Sequence, residues 1–124
     1  MEKTKIAKFT DLNAWKKGHE LVLEVYQITN SFPKKETFAL ANKMQRAVVS
    51  ITSNIAEGFG RRGKQEKTQF YYMAQGSLTE IQNQLIVARD LSYVSRKQFE
   101  EVANLTVIVH KLLTGLIKSI KNKE

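Results

Sequence analysis

Apolar residues recur every three to four positions along most of this 124-residue chain, which is the period of an amphipathic helix. Leu12, Trp15, Val22, Tyr26 and Thr29 share one helical face, with Asp11 as N-cap. Phe32-Pro33, which holds the only proline, ends that helix. A second helix begins near Thr37 and keeps Ala41, Met44, Val48, Ile51, Ile55 and Phe59 in register. A third opens near Lys64 with Phe70, Ala74, Leu78, Ile81, Leu85 and Ala88. In the fourth, Ser95 and Gln98 form a capping box ahead of Phe99, Val102, Leu105, Val109, Leu113, Leu116 and Ile120. The pattern predicts helices over about 11–31, 37–59, 64–91 and 95–121, with short flexible termini. Short connections favour antiparallel neighbours, so the expected fold is all-α: one up-down-up-down four-helix bundle domain over residues 1–124.

Several large apolar residues miss these stripes. Leu21 and Ile28 point away from the face carrying Trp15 and Val22, and Tyr72, Ile86 and Val87 lie beside or opposite Ile81. Val107 and Ile108 flank the fourth stripe. A helix with a second apolar face usually buries it against another subunit. A homo-oligomer is expected, with Leu21, Ile28, Tyr72, Ile86 and Val87 at its interface.

Composition narrows the chemistry. The chain has 20 Lys and Arg against 12 Asp and Glu, a net charge of +8, and no cysteine. Disulfides, thiolate metal sites and Cys nucleophiles are therefore excluded. The charged N-terminus MEKTKIAKF is no signal peptide. No apolar run reaches the ~18 to 20 residues of a membrane span, so a cytoplasmic protein is expected. The charge excess points to an anionic partner.

The stretch EGFGRRGKQ contains Gly58-Phe-Gly60-Arg-Arg-Gly63, a literal G-x-G-x-x-G. It follows a helix rather than a strand, so it lacks the βαβ setting of a dinucleotide fingerprint, and Gln65 stands where a P-loop needs Ser or Thr. Gly58 and Gly60 read instead as C-terminal capping glycines. The cations are more informative. Arg61, Arg62, Lys64 and Lys67 crowd the start of the third helix, where positive charge opposes the macrodipole and a phosphate would be favoured. Glu57 and Glu66 offer the competing explanation of local ion pairs. Lys16, Lys17, Lys43, Arg46 and Arg89 supply further positive charge for nucleic-acid binding.

Catalytic signals are thin. His19 and His110 lie on different helices without Glu-x-x-His or H-x-x-x-H spacing, and His19 reads as a hydrogen-bonded structural histidine. Asn54, Ser77 and Glu80 read as a polar cluster fixing the register of helices two and three, and no nucleophile with a positioned base is visible. No enzyme activity, metal or cofactor is expected.

Three blocks, "FTDLNAWKKGHELVLEVYQIT", "FPKKETFALANKMQRAVVSITSNIAEGFGRR" and "GSLTEIQNQLIVARDLSYV", resemble in order the four-helix bundle proteins encoded by intervening sequences of bacterial 23S rRNA genes. The resemblance implies a left-handed bundle that assembles as a ring-like homopentamer. It also brings in a relative, the accessory variability protein of diversity-generating retroelements, a basic pentamer that binds nucleic acid and a reverse transcriptase. The family's N-I-A-E-G-x-x-R element falls on Asn54, Ile55, Ala56, Glu57, Gly58 and Arg61, and its G-S-L-x-E element on Gly76, Ser77, Leu78 and Glu80. These are expected to be packing and register residues, with Arg61 and its neighbours as ligands. Thr52 replaces the family's proline and Ser92 its glycine in L-G-Y. Two functions follow: a non-catalytic oligomer that binds structured RNA through phosphates, or a scaffold for another protein.

Overall fold

The computed structural model describes residues 5–122; residues 1–4 and 123–124, part of the termini expected to be flexible, lie outside it. The chain forms α1 (Asn13–Thr29), α2 (Leu40–Gly60), α3 (Lys64–Asp90) and α4 (Arg96–Lys121). Single 3-10 turns precede α1 at Phe9–Asp11 and α2 at Lys34–Glu36, and no strand occurs among the described residues. Each helix packs against two others, α1 and α3 both against α2 and α4. Cross-helix bonds give the directions: Gln45 Nε2 donates to Thr29 Oγ1 at 3.0 Å, and Gln75 and Gln82 donate to Thr114 and Thr106 at 3.2 Å each. Both pairs, α1 with α2 and α3 with α4, run antiparallel.

The core is a column of branched aliphatics. Val25, Met44, Val48, Ile51, Ile55, Leu78, Ile81, Val109 and Leu113 are fully buried, each stabilising the fold by about 1.5–3 kcal/mol relative to exposure. The register read from the sequence for α2 therefore holds. That of α1 does not. Leu21 and Ile28, expected at a subunit interface, are 0% and 4% exposed inside the chain's own core, while Tyr26 is 41% exposed. The true core face is Ala14, Gly18, Leu21, Val25 and Ile28. It is set by a close crossing: a Cβ on Gly18 would stand 3.1 Å from Thr52 Cγ2 on α2. In α3, Tyr71 rather than Phe70 enters the core.

The helix ends also differ from expectation. Asp11 is not the cap of α1 but closes the preceding turn, its Oδ2 accepting from the Ala7 and Lys8 N–H groups at 3.0 Å each. These bonds hold its carboxyl below the usual range. α2 begins three residues after Thr37, and Glu36 Oε1 accepts from the Leu40 N–H at 3.3 Å. Gly58 and Gly60 lie within α2, and no described glycine has positive φ. α2 runs unbroken through Thr52, where the family's proline would stand. The capping box of α4 forms as read, with Ser95 Oγ accepting from Gln98 N–H at 3.1 Å and Gln98 Oε1 from Ser95 N–H at 2.9 Å.

At the end of α3 the chain turns through Ser92, whose φ of 62° is left-handed. Tyr93 N–H bonds to Ala88 O at 2.8 Å and Ser92 N–H to Arg89 O at 2.9 Å. That pair of bonds is the Schellman motif, which favours glycine at Ser92. The serine keeps the turn.

α4 is long and apolar enough to pass the composition test for a membrane span, where the sequence reading expected no such run. Here it is a bundle helix: Val102, Leu105, Val109, Leu113 and Ile117 are buried, whereas Val107 and Ile108 are exposed.

Candidate nucleic-acid interface

α2 and α3 are joined by three residues, Arg61 to Gly63, so every cation at this corner lies beside two helix ends at once. The N-terminus of α3 repels it and the C-terminus of α2 attracts it. Lys67 uses the second. Its Nζ donates to Phe59 O at 2.7 Å and Gly58 O at 3.3 Å, and sits 5.4 Å from the Phe59 ring centroid. It bonds carbonyls in the last turn of α2, where Gly58 O also accepts from the Arg61 N–H at 3.2 Å. Lys67 is therefore a structural cap rather than a member of an open anion site.

Arg61 is divided between roles. Its Nη2 stands 3.4 Å from Glu57 Oε2, an exposed pair of small energetic weight. Its guanidinium also lies over the Phe70 ring, 4.8 Å from the centroid. Arg62 and Lys64 are exposed and belong to no salt bridge among the described residues.

α4 finishes at the same end of the bundle, but against Tyr72, eight residues or about 12 Å along α3 from Lys64. Lys121 Nζ donates to Tyr72 Oη at 2.9 Å, and Lys118 shares a surface depression with Tyr72 and Lys121. The sequence reading missed these two, because nothing local relates the end of α4 to residues some 50 positions earlier. Lys16 and Lys17 lie in the first turns of α1, at the same end of the bundle; Lys17 pairs with Glu20 at 3.1 Å.

Lys43 and Arg46 are elsewhere. Arg46 precedes Arg61 by fifteen residues, or about 22 Å of helix. The cations grouped together from the sequence therefore fall in two separate places on the chain. Lys43 and Arg46 line a groove between α2 and α3 with Ser50, Ser77 and Glu80. In its floor Ser50 Oγ and Ser77 Oγ are 2.9 Å apart, and Asn54 Nδ2 donates to Ser50 Oγ at 3.1 Å. The polar cluster read at Asn54 and Ser77 is real, with Ser50 at its centre. Glu80 is an exposed residue on its rim.

Gly58 serves close packing: it is buried, and Tyr71 and Phe70 of α3 cover it. His19 is exposed and stacks on Trp15, ring centroids 4.8 Å apart, rather than being held by a hydrogen bond from the described residues as expected. His110 is exposed on α4. Among the described residues, no cluster of three or more His, Asp or Glu side chains could hold a metal.

Of the interface candidates left after Leu21 and Ile28 are removed, Tyr72, Ile86 and Val87 are 47%, 44% and 38% exposed on α3. Between Lys67 and Arg89 that helix carries a single charged residue, Glu80. Apart from that residue, its solvent side is uncharged.

The family model described as 23S rRNA-intervening sequence protein matches residues 10–115. The chain belongs to that family. No curated protein sequence matches it. Among solved structures, it is similar to a protein of unknown function from the S23 ribosomal protein family of Bacteroides thetaiotaomicron VPI-5482. The TM-score is 0.78 at 21% identity, over 85% of this chain and 95% of the other. That likeness shows a shared fold.

Proposed function

We propose that this member of the 23S rRNA-intervening sequence proteins is a non-catalytic homo-oligomer that binds structured RNA through its phosphates. The observation that carries the reading is the basic end of the bundle, where Arg62 and Lys64 are exposed and unpaired next to Arg61, with Lys118 and Lys121 on the same end against Tyr72. A phosphate backbone is bound by such unpaired cations through release of its counterions. A net charge of +8 per chain, multiplied by assembly, adds long-range attraction.

Assembly is supported by α3. A surface helix with one charge in some twenty residues, and with Tyr72, Ile86 and Val87 exposed, leaves a face that water covers poorly. The ring-like pentamer implied by the family resemblance is the stoichiometry we adopt. We place the protein in the cytoplasm, where RNA is available.

Gel shifts of a structured RNA at several salt concentrations test the reading. Log affinity should fall with log salt by about 0.7 to 0.9 per phosphate contact. Arg62→Ala with Lys64→Ala should weaken all sequences alike and flatten that slope by about one to two units per engaged chain. Light scattering should give a mass well above 14.2 kDa. A monomer whose weak RNA binding ignores both substitutions would overturn the proposal and leave a protein-interaction scaffold in its place.

A further inference from the structure

The groove at the other end of α2 is unexplained by phosphate binding at the Arg61 corner. It holds about 540 Å³ and is open to solvent, within the size range of small-molecule sites. Its edge carries Phe38, which at 90% exposure is the most exposed large apolar residue among those described. Phe38 is not on a loose loop. Glu36 brackets it, accepting from Leu40 N–H at 3.3 Å and from Tyr93 Oη at 2.7 Å, while Ala39 N–H bonds to Glu36 O at 3.0 Å. The turn thus holds an aromatic ring out in water, next to Lys43 and Arg46.

Lys43, Arg46 and Glu80 belong to no salt bridge among the described residues. Two unpaired cations, one unpaired carboxylate and an exposed ring around a hydroxyl floor make an arrangement with a definite complement. The cations suit a phosphate, the ring suits a stacked base, and the carboxylate suits a base edge rich in N–H donors. Guanine alone among the RNA bases presents an imino and an amino donor side by side on its Watson–Crick edge, matching the two carboxylate oxygens. Uracil flanks its single imino donor with carbonyl oxygens, which a carboxylate repels.

We propose that this groove binds one unpaired guanine nucleotide, its phosphate held by Lys43 and Arg46, its base stacked on Phe38 and its Watson–Crick edge read by Glu80. The inference rests on the nucleic-acid reading above and adds base selection to it. The nucleotide comes either from a single-stranded region of RNA or from a free mononucleotide. Ser50 and Ser77, already bonded to each other, give the floor a fixed shape.

The test is titration of the full chain with guanosine and uridine 5′-monophosphates, followed by NMR shifts. Short single-stranded RNAs containing or lacking one guanosine form the second arm. The guanine ligand should bind about tenfold or more tighter than the uracil ligand. Phe38→Ala should weaken it by a similar factor, the loss expected for one stacked base. Glu80→Gln should abolish the preference for guanine, and Arg46→Ala should weaken both ligands equally. Circular dichroism controls folding, which these exposed positions leave intact. Tighter binding of the oligonucleotide identifies RNA as the source, and equal binding identifies the mononucleotide. Equal affinities for guanine and uracil, or a Phe38→Ala variant that binds as wild type, would overturn the groove while leaving phosphate binding at Arg62 and Lys64 standing. Conversely, guanine binding that survives loss of RNA binding at that corner would uphold the groove alone.

Discussion

Gly58 and Tyr71 touch so closely that a Cβ on the glycine would lie 2.7 Å from Tyr71 Cε1. Tyr71 is 1% exposed, and the Phe70 Cβ stands 3.0 Å from the same point, so the ring has no free volume to swing into. Gly58→Ala should destabilise the chain by about 1–3 kcal/mol through overpacking, read from the urea midpoint. Gly115→Ala on α4, where nothing lies within 4 Å, should gain about 0.5–1 kcal/mol from helix propensity. A Gly58→Ala variant as stable as wild type would show that α2 and α3 are not in this register.

Ser92 is a residue with a Cβ in a left-handed position. Its strain of about 1–2 kcal/mol is partly offset by the larger conformational entropy that a glycine there would lose on folding. Ser92→Gly should therefore stabilise by about 0.5–1 kcal/mol and raise the thermal midpoint by several degrees. An unchanged or lower midpoint would contradict the Schellman turn.

Glu36 sets an acid limit. The Tyr93 hydroxyl and the Leu40 N–H hold its carboxyl below the ordinary glutamate value. A depressed folded pKa contributes stability above the unfolded value, about 4.3, and that stability is lost as pH falls through the folded value. Glu36→Gln removes the charge and keeps one side-chain oxygen as acceptor, while its Nε2 must donate to the Tyr93 oxygen where the carboxylate accepted from it. Its urea midpoint should depend less on pH than that of wild type below about pH 4.5, although Asp11, held low by its own bonds, leaves a residual slope. Identical slopes would remove Glu36 from the acid transition.

Leu21 and Ile86 separate folding from assembly. Leu21 is fully buried within the chain, so Leu21→Ala should cost about 2–5 kcal/mol as a cavity. Ile86 is 44% exposed; Ile86→Glu should leave the helix content intact and reduce the mass seen by light scattering, because a charge is driven into an apolar contact. A full-sized assembly of Ile86→Glu would move the interface off this face of α3.

These outcomes turn on where the sequence could be read and where it could not. α2 was legible because Met44, Val48, Ile51 and Ile55 on its buried face outweigh the single large apolar residue exposed on its outer face, Val49. α1 misled because its true face contains Ala14 and Gly18, whose small size permits the crossing with Thr52 but gives no hydrophobic signal. Trp15 and Tyr26 gave a strong signal instead, and they end half-buried and exposed. In α3 Phe70 and Tyr71 are adjacent, so a shift of one residue rotates the stripe by about 100°. The basic corner was visible as a run of charge. That Lys67 caps α2 depends on a three-residue turn, and that Lys118 and Lys121 reach Tyr72 at this end of the bundle depends on antiparallel packing. Neither has a local signature.

The bond from Tyr93 Oη to Glu36, 2.7 Å long, spans 57 positions in sequence. It ties the connection between α1 and α2 to the connection between α3 and α4, and Phe32 packs on the Tyr93 ring at 5.3 Å beside it. The two loops at this end are thus tied to each other, and their amide protons should exchange with solvent through one shared opening. At the opposite end, residues 61–63 share no bond with those loops, so their opening should be independent, giving the bundle a polarity that its near-symmetric helix plan would not suggest.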